Sequence, residues 1–358
     1  MRCKIKDICK PKQWKTISAE MLQEEGYPVY GANGVIGYYS EYNHENPTLL
    51  VTCRGATCGS LNICQPYSYV NGNAMALDEL RSDVNIKYLY YYLKARGFND
   101  VISGSAQPQI TRSAIEQVEI EVKSEAEQKE VVNKFELVES MISAGKEQLL
   151  GLDNLIKSRF VEMFGKCGNL MKLEELCSII TDGTHQPPKF QDAGIPFIFV
   201  SNLAGDKITY NAEKFISEET YNELYKRTPI EKGDVLLSTV GSYGHPAVVE
   251  EDRKFLFQRH IAYLKPKCDL INSYYLHGAL LAPDGQRQIE ERVKGIAQKT
   301  LNLSEIRRIM IPVPSMEQQK QFEQFTHQTD KLKVAYHRWR GSVHYDNEFF
   351  IFIKHKRI

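Results

Sequence analysis

Hydrophobic side chains recur within 124–165 at alternating steps of four and three residues, a spacing that places them along one side of an α-helix. The positions that follow this spacing are Val131, Phe135, Val138, Ile142, Gly145, Leu149, Leu152 and Ile156. A second set near the C-terminus consists of Phe322, Phe325, Thr329, Leu332, Tyr336, Trp339 and Val343. Each stripe is as narrow as the seam of a coiled coil, so we predict two long helices that pack on each other. The alternative is that each amphipathic helix packs only on its own domain.

The segment that leads into the first long helix occurs twice, and the two copies lie 191 residues apart. In the first copy the matching residues are Gly104, Ala106, Gln107, Ile110, Ser113, Ile115, Gln128 and Lys129. Their counterparts in the second copy are Gly295, Ala297, Gln298, Leu301, Ser304, Ile306, Gln319 and Lys320. A match of this length without a gap indicates a chain built from two tandem halves.

Each half begins with short strand-like runs, turns and one predicted helix. The apolar runs 49–53 and 235–239 resemble buried strands, and we predict helices at Ile86–Arg96 and Ser273–Leu281. The loops of the two halves differ, as expected when one scaffold carries two recognition surfaces. We therefore predict an α+β fold with two tandem globules. The predicted boundaries are 1–123 for the first globule, 124–165 for the first long helix, 166–314 for the second globule, 315–345 for the second long helix and 346–358 for an atypical tail.

Composition restricts the class of protein. The chain has 358 residues, of which 42% are hydrophobic and 25% charged, so it is globular and long enough for two domains. Its formal net charge is zero, which argues against a wholly basic nucleic-acid coat but allows local basic faces. It contains no apolar run long enough to span a membrane and no apolar signal region at its start. We therefore expect a cytoplasmic protein with no membrane partner.

Motifs for catalysis or metal binding are missing from the sequence. The glycines in 31–37 are spaced G-x-x-G-x-x-G, whereas a dinucleotide site requires G-x-G-x-x-G at the start of a helix. Cys53, Cys58 and Cys64 form the one cysteine cluster, but their spacing does not fit a zinc site, so we interpret them as buried thiols. We expect no metal or cofactor and a chain that binds without catalysing a reaction.

Polar and basic residues in the loops are the candidate contacts to nucleic acid. Arginine can bind guanine, asparagine and glutamine can bind adenine, and lysine contacts phosphates. In the first half the candidates are Lys12, Lys15, Asn33, Arg54, Asn71 and Asn73. In the second half they are His185, Gln186, Lys189, Asn202, Tyr243, Gln258, Arg259 and His260. We expect Arg54 and Arg259 to lie on exposed loops near the DNA.

The repeated block and its surroundings resemble those of a known family. The residues that carry the resemblance are 104–115, 118–122 and 127–129 with their counterparts 295–306, 311–314 and 317–319, and the loops 27–39 and 183–185. Over nearly all of 1–340 the chain resembles the specificity subunit of Type I restriction–modification systems. The arrangement of a repeated block followed by a long helix is the most specific part of this resemblance.

The resemblance implies a non-catalytic subunit that determines DNA sequence specificity. Each globule would be a target recognition domain that reads one half of a bipartite duplex DNA site. The two long helices would separate the globules and pack as an antiparallel coiled coil. Two copies of a methylation subunit and the restriction or translocation subunits would dock on the chain, and S-adenosylmethionine, ATP and Mg²⁺ are expected on those partners. The alternative from another class is a coiled-coil adaptor with two protein-binding globules, which would lack basic clefts.

Overall fold

The computed structural model describes residues 1–104, 107–203, 205–295 and 299–342, without the side chains of 335 and 337–342. The predicted tail 346–358 and the side chains of Trp339 and Val343 lie outside these described residues. The chain forms two compact units, which contain Met1–Gly145 and Lys146–His337.

The first unit is a mixture of short strands and helices. Its strands, β1 to β9, are Arg2–Lys4, Lys10–Gln13, Tyr27–Gly31, Gly34–Tyr39, Leu49–Thr52, Leu61–Ile63, Tyr69–Val70, Ala74–Asp78 and Glu119–Glu121. The helices are α1 (Ile86–Arg96), α2 (Arg112–Glu116) and α3 (Glu125–Phe164), and the last of these continues into the second unit. Short 3₁₀ turns occupy Ile5–Asp7 and Ala19–Met21.

The strands of the first unit form two sheets and a separate pair. The four-stranded sheet has the order β2-β8-β5-β6, the three-stranded sheet has the order β4-β3-β7, and β1 pairs with β9. In β5, Leu49 and Val51 face a core that includes Leu89 of α1, whereas Leu50 packs with Tyr30 of the smaller sheet. Because β5 is covered on both faces, all four of its residues are buried and Leu49, Leu50 and Val51 are hydrophobic without alternation.

The second unit contains the same kinds of element. Its strands, β10 to β18, are Leu170–Lys172, Cys177–Asp182, Ile195–Ile198, Lys214–Ile216, Val235–Ser238, Pro246–Val248, Leu256–Phe257, Ile261–Pro266 and Met310–Pro312. Its helices, α4 to α9, are Leu173–Leu176, Glu218–Tyr225, Ser273–Leu281, Pro283–Arg292, Leu303–Arg307 and Met316–Ser342, and a 3₁₀ turn occupies Val200–Leu203.

The two units share one topology. The sheets of the second unit have the orders β11-β17-β14-β15 and β13-β12-β16, and β10 pairs with β18. In each small sheet one pair is parallel, β3 with β7 and β12 with β16. The predicted tandem α+β architecture is therefore confirmed, and α1 and α6 have the residue ranges predicted for them.

A buried glutamine fixes the start of each long helix. The side-chain oxygen of Gln128 accepts a hydrogen bond from the backbone N–H of Asn85 at 2.8 Å, and its amide donates to the carbonyl of Asp83 at 2.8 Å. Gln319 does the same with Asn272 at 2.8 Å and Leu270 at 3.1 Å. Both glutamines are 1% exposed. The repeated glutamine of the sequence thus attaches each long helix to the N-cap residue of α1 or α6.

The long helices pack differently in the two units. In the first unit Phe135 of α3 stacks on Tyr91 of α1, with ring centroids 4.5 Å apart. Phe135, a predicted seam residue, thus packs on α1 of its own unit. In the second unit Phe160 of α3 contacts Phe322 of α9, with centroids 5.3 Å apart, and Asp153 of α3 pairs with Lys333 of α9 at 2.6 Å. Within this unit α9 therefore runs antiparallel to the second part of α3.

The predicted seam residues are buried to different degrees. Phe322 is fully buried, whereas Val131, Val138, Ile142, Leu149, Leu152, Ile156, Phe325 and Tyr336 are half-buried. The assignment of Leu332 to the seam is wrong, because its side chain is 60% exposed while the neighbouring Lys333 turns inward to Asp153 and Asp330. The heptad pattern also missed Phe160 and Phe164, which are buried in the core of the second unit.

Candidate nucleic-acid interface

Segments that are distant in the sequence meet at one edge of the first unit. We call this edge the first loop face; it consists of Trp14–Thr16, Ala32–Asn33, Cys53–Gly55, Asn71–Asn73 and Pro108–Gln109. The backbone N–H of Cys53 donates to the carbonyl of Asn73 at 3.2 Å, and that of Gly55 donates to Pro108 at 3.1 Å. The hydroxyl of Thr52 donates to the carbonyl of Ala32. These bonds, with the close approach of Gly72 to Trp14 and Thr16, bring the segments of the predicted candidates Lys15, Asn33, Arg54 and Asn73 together.

The second unit has an equivalent edge. This second loop face consists of Gly183–His185, Thr239–Gly241, Gln258–His260 and Lys299–Thr300. The backbone N–H of Arg259 donates to Thr184 at 3.0 Å, and that of Thr239 donates to His260 at 2.9 Å. His185 and Arg259, which the sequence suggested separately, are therefore neighbours.

The glycine of the Gly183-Thr-His segment is required by a close backbone approach. A Cβ atom on Gly183 would lie 2.2 Å from the carbonyl oxygen of Phe257 and 2.4 Å from that of Gln258. Only a residue without a side chain allows the two segments to come so close. The segment thus positions Thr184 and His185 beside the turn that carries Arg259.

Most of the predicted candidates lie on the surface. The exposed ones are Lys12, Lys15, Asn33, Arg54, Asn73, His185, Gln186, Lys189 and Arg259, whereas Tyr243, Gln258 and His260 are half-buried. Arg54 follows β5 in a loop, and Arg259 lies in the tight turn between β16 and β17. The expectation that both arginines lie on exposed loops is confirmed.

Two predicted candidates are wrong as exposed donors. Asn71 is 4% exposed, and its side-chain oxygen accepts hydrogen bonds from the backbone N–H groups of Ile17 at 3.2 Å and Gly72 at 2.8 Å. Asn202 is 9% exposed, accepts from the N–H of Phe199 at 3.0 Å and donates to the carbonyl of Thr209 at 3.0 Å. Their side-chain amides form hydrogen bonds with backbone groups of the surrounding loops and are therefore not available to contact DNA.

The hydroxyl of Tyr243 is engaged within the second unit. It donates to the carboxylate of Glu290 on α7 and accepts a hydrogen bond from Lys299 at 3.2 Å. The bond from Tyr243 and the ion pair with Lys299 hold the pKa of the Glu290 carboxyl below its usual range. Tyr243 therefore anchors the second loop face to α7, and its free-donor assignment is corrected.

The structure adds one basic residue that the sequence pattern did not single out. Asp182 accepts a hydrogen bond from His185 at 2.8 Å with one carboxylate oxygen and from Arg227 at 2.7 Å with the other. The side chains of His185 and Arg227 are both about half exposed, at 52% and 50%. Arg227 lies 45 residues from Asp182 in sequence. The sequence offered one local indication of a basic contact there, the Lys226-Arg227 pair that follows a helical stretch.

The ring of His260 lies beside the Arg259 side chain at this edge. Burial, followed by the nearby guanidinium of Arg259, lowers the pKa of His260 below its ordinary value of 6.5. The Nε–H of Arg259 donates to Nε2 of the His260 ring at 3.3 Å, which a neutral ring can accept. The pair orients Arg259 at the tip of its turn.

The described residues include neither a candidate metal site nor a candidate membrane-spanning helix. Among the residues that the structure describes, no group of three or more His, Cys, Asp or Glu side chains is arranged to hold a metal ion. Burial raises the pKa of the thiols of Cys53, Cys58 and Cys64. Within the same described ranges no helix is long and apolar enough to cross a bilayer.

Comparison with known proteins adds independent information. The family model for the Type I restriction modification DNA specificity domain matches residues 1–150 and again 169–339. The specificity subunit of the Type I restriction enzyme EcoBI from Escherichia coli is 32% identical over 137 residues, which are 38% of this chain and 29% of that protein. The alignment thus spans less than a third of the length of that relative.

Two other similar proteins match over nearly the whole chain. The putative Type I restriction enzyme specificity subunit S.HindORF215P from Haemophilus influenzae is 20% identical, and the alignment covers 94% of this chain and 91% of that one. The crystal structure of the Type I restriction–modification S subunit from M. genitalium superposes with a TM-score of 0.53 at 17% identity, covering 98% of this chain and 94% of that one. The structural likeness shows a shared fold. Since the family model matches both halves and most of the sequence, the chain belongs to the Type I restriction modification DNA specificity domain family.

Proposed function

We propose that this chain is the DNA specificity subunit of a Type I restriction–modification system, in which each unit reads one half of a bipartite duplex DNA target. The observation that carries the proposal is the pair of loop faces. They are built from equivalent backbone segments but present different side chains, Arg54 and Asn73 on the first and His185 and Arg259 on the second. One frame with two chemically different edges is what reading two unlike half-sites requires.

Exposed side chains on and near the two loop faces along the sequence have the chemistry for base and phosphate contacts. Arg54 and Arg259 are exposed and can each donate two hydrogen bonds to a guanine, and Asn33 or Asn73 can pair with an adenine. Lys12, Lys15 and Lys189 are exposed and suit phosphates, which hold the protein in register without reading sequence. We propose 1–123 and 166–314 as the two target recognition domains.

We further propose that the chain is not itself catalytic and that it recruits the enzymatic subunits. Two methylation subunits and the restriction or translocation subunits would supply S-adenosylmethionine, ATP and Mg²⁺, in the cytoplasm. Exposed apolar side chains on α3 within the second unit support a docking role: Leu150 is 62% exposed, Leu155 48% and Val161 48%. The names of the relatives as specificity subunits support the same division of labour.

The test is to express the chain with its own methylation subunit in a host without such a system and to map the methylated positions across the genome. A bipartite motif is expected. Arg54→Ala should relax one half of the motif and Arg259→Ala the other, whereas Lys166→Ala, a change at an exposed residue outside both loop faces, should leave the motif intact. Binding that depends on salt but not on sequence would contradict the proposal.

A further inference from the structure

An exposed group of tyrosines lies at the start of β3, at the opposite end of this strand from Asn33. Tyr27 and Tyr42 meet edge to face with ring centroids 4.9 Å apart, and Tyr42 meets Tyr67 in the same way at 5.3 Å. The three side chains are 38%, 38% and 52% exposed, respectively. Together with the exposed carboxylates of the same region they form what we call the acidic tyrosine face, which consists of Tyr27, Tyr42, Tyr67, Glu24, Glu25, Glu41 and Glu45.

The charge of this region has one sign. Between 16 and 80 the sequence contains seven Asp or Glu residues and a single Lys or Arg, namely Arg54, which belongs to the first loop face. Within the described part of the chain, none of the four carboxylates of the acidic tyrosine face forms an ion pair with a Lys, Arg or His. The Glu45 carboxylate raises the pKa of the Tyr42 hydroxyl, which reflects the local negative potential. Such a surface repels phosphates and is therefore not a DNA contact.

The backbone at Tyr67 has a conformation that favours glycine. Its φ angle is 55°, in the left-handed region that a bulky residue rarely adopts. Tyr67 is held there by its N–H, which donates to the carbonyl of Glu45 at 3.3 Å, and by the pairing of Ser68 with His44. Because glycine would fit this backbone better, the tyrosine side chain itself requires an explanation.

The fold alone does not demand such a surface. The equivalent of Gly26 is Gly194, and both have positive φ angles and would place a Cβ about 2.5 Å from a carbonyl oxygen on the next strand. The residues that follow these glycines differ: the exposed Tyr27 follows Gly26, whereas the half-buried Ile195 follows Gly194. The corresponding stretch of the second unit, 184–267, contains eleven Lys or Arg and eleven Asp or Glu residues. The acidic tyrosine face is thus a property of the first unit's sequence.

We propose that the acidic tyrosine face binds a Lys- and Arg-rich surface of a partner protein, namely the methylation subunit. Tyrosine rings offer large contact area and cation–π partners for arginine and lysine, and carboxylates without an ion-pair partner among the described residues provide charge complementarity. A subunit that methylates a base in the half-site read by this unit has to lie close to the first loop face. The five residues of β3 separate that loop face from the tyrosines by only about 15 Å. This inference rests on the function proposed above.

The test measures the dissociation constant between the full chain and its own methylation subunit at about 100 and about 500 mM salt, a range over which the screening of exposed charges changes strongly. The charge reversal Glu41→Lys/Glu45→Lys should weaken binding at least tenfold at the lower salt concentration and less at the higher one. The pair Tyr42→Ala/Tyr67→Gly should weaken it at both, and glycine at 67 relieves the backbone so that the unit stays folded. The control Glu219→Lys/Glu223→Lys makes the same change of charge at exposed positions of α5 and should have no effect.

Each outcome is decisive. Unchanged binding by both variants overturns the proposed surface, and if the genome still carries a bipartite methylated motif, the proposed function stands without it. Weakening by the control as well would show a general effect of charge and also overturn the proposal. If the unchanged chain does not bind the methylation subunit, both the surface and the proposed function fail.

Discussion

The two loop faces are built around the same close approach between a turn and a crossing segment, but the glycine lies on opposite sides of it. In the first unit the turn carries Gly72, where a Cβ would lie 2.4 Å from the hydroxyl of Thr16 and 2.7 Å from the carbonyl of Trp14. In the second unit the crossing segment carries Gly183, and the turn carries Arg259. In each unit, the segment that carries the glycine leaves space for a side chain on the other segment. This exchange lets one frame present residues from different segments.

The largest expected loss of stability comes from adding a methyl group to Gly183, the one of these two glycines whose Cβ position lies closer to the neighbouring backbone. Gly183→Ala should destabilise the second unit by about 3 kcal/mol, because the added methyl group overlaps two backbone carbonyls. Gly72→Ala should cost less, since one of its neighbours is the movable end of Thr16. Hydrogen exchange measured separately for peptides of each unit gives the opening free energy, because unfolding of the whole chain need not be two-state.

A glycine in open space provides the control for this comparison. Gly151 lies in α3, and apart from the backbone of its own helix no atom of the described residues lies within 4 Å of the place that an added methyl group would occupy. Gly151→Ala should therefore stabilise the helix by about 0.5–1 kcal/mol. Equal protection of the second unit in Gly183→Ala and the unchanged chain would show that the close approach does not constrain the sequence.

The glutamines that attach the long helices should behave alike in the two units. Gln128→Ala and Gln319→Ala each remove the acceptor of a part-buried backbone N–H, which should cost about 1–3 kcal/mol in the unit concerned. Gln324→Ala, at an exposed position of α9, is the matched control and should change stability little. A large loss in one unit and none in the other would mean that the equivalent contacts are not energetically equivalent.

DNA binding should distinguish the units by their charge. Arg54→Ala and Arg259→Ala should each weaken binding of the assembled complex to its target by about 1–3 kcal/mol. We expect the Arg54 variant to lose more, because Arg54 is the one Lys or Arg between 16 and 80. Titration of a labelled target duplex at fixed salt measures both losses. A greater loss at Arg259 would reverse this ranking and point to a larger role for Lys12 and Lys15.

The smallest expected effect is a pH dependence confined to the second unit. Burial lowers the pKa of His277 below 6.5, and its Nε2–H donates to the carbonyl of Asp206 at 3.0 Å. The folded unit therefore binds fewer protons at His277 than the unfolded chain does. The contribution of the neutral His277 to the stability of the unit is present above pH 6.5 and is lost as the pH falls through the lowered pKa. Hydrogen exchange at about pH 7.5 and about pH 5.5, on either side of the ordinary histidine pKa, should show the loss, and His277→Gln should reduce it. An identical pH response in the variant would exclude this histidine as the cause.

Elements whose pattern depends on their own residues could be predicted from the sequence. The step of four and three predicted α3, and the runs at 49–53 and 235–239 predicted two central strands. The offset of 191 residues predicted two equivalent globules, because a duplicated chain folds by the same local and long-range contacts in each copy. Exposure of Arg54 and Arg259 followed from their position after buried strands.

The tertiary structure alone decided which polar side chains reach the surface. Asn71 and Asn73 are two residues apart and chemically identical, yet Asn71 is buried because the segment around Ile17 crosses it. Leu332 is exposed although its spacing fits the seam, because Lys333 occupies the inward position opposite Asp153. Periodicity reports interactions within one element, whereas these choices depend on segments up to 180 residues away. The physical reason is that the burial of a side chain depends on which distant segment packs against it. The spacing of residues within one element does not identify that segment.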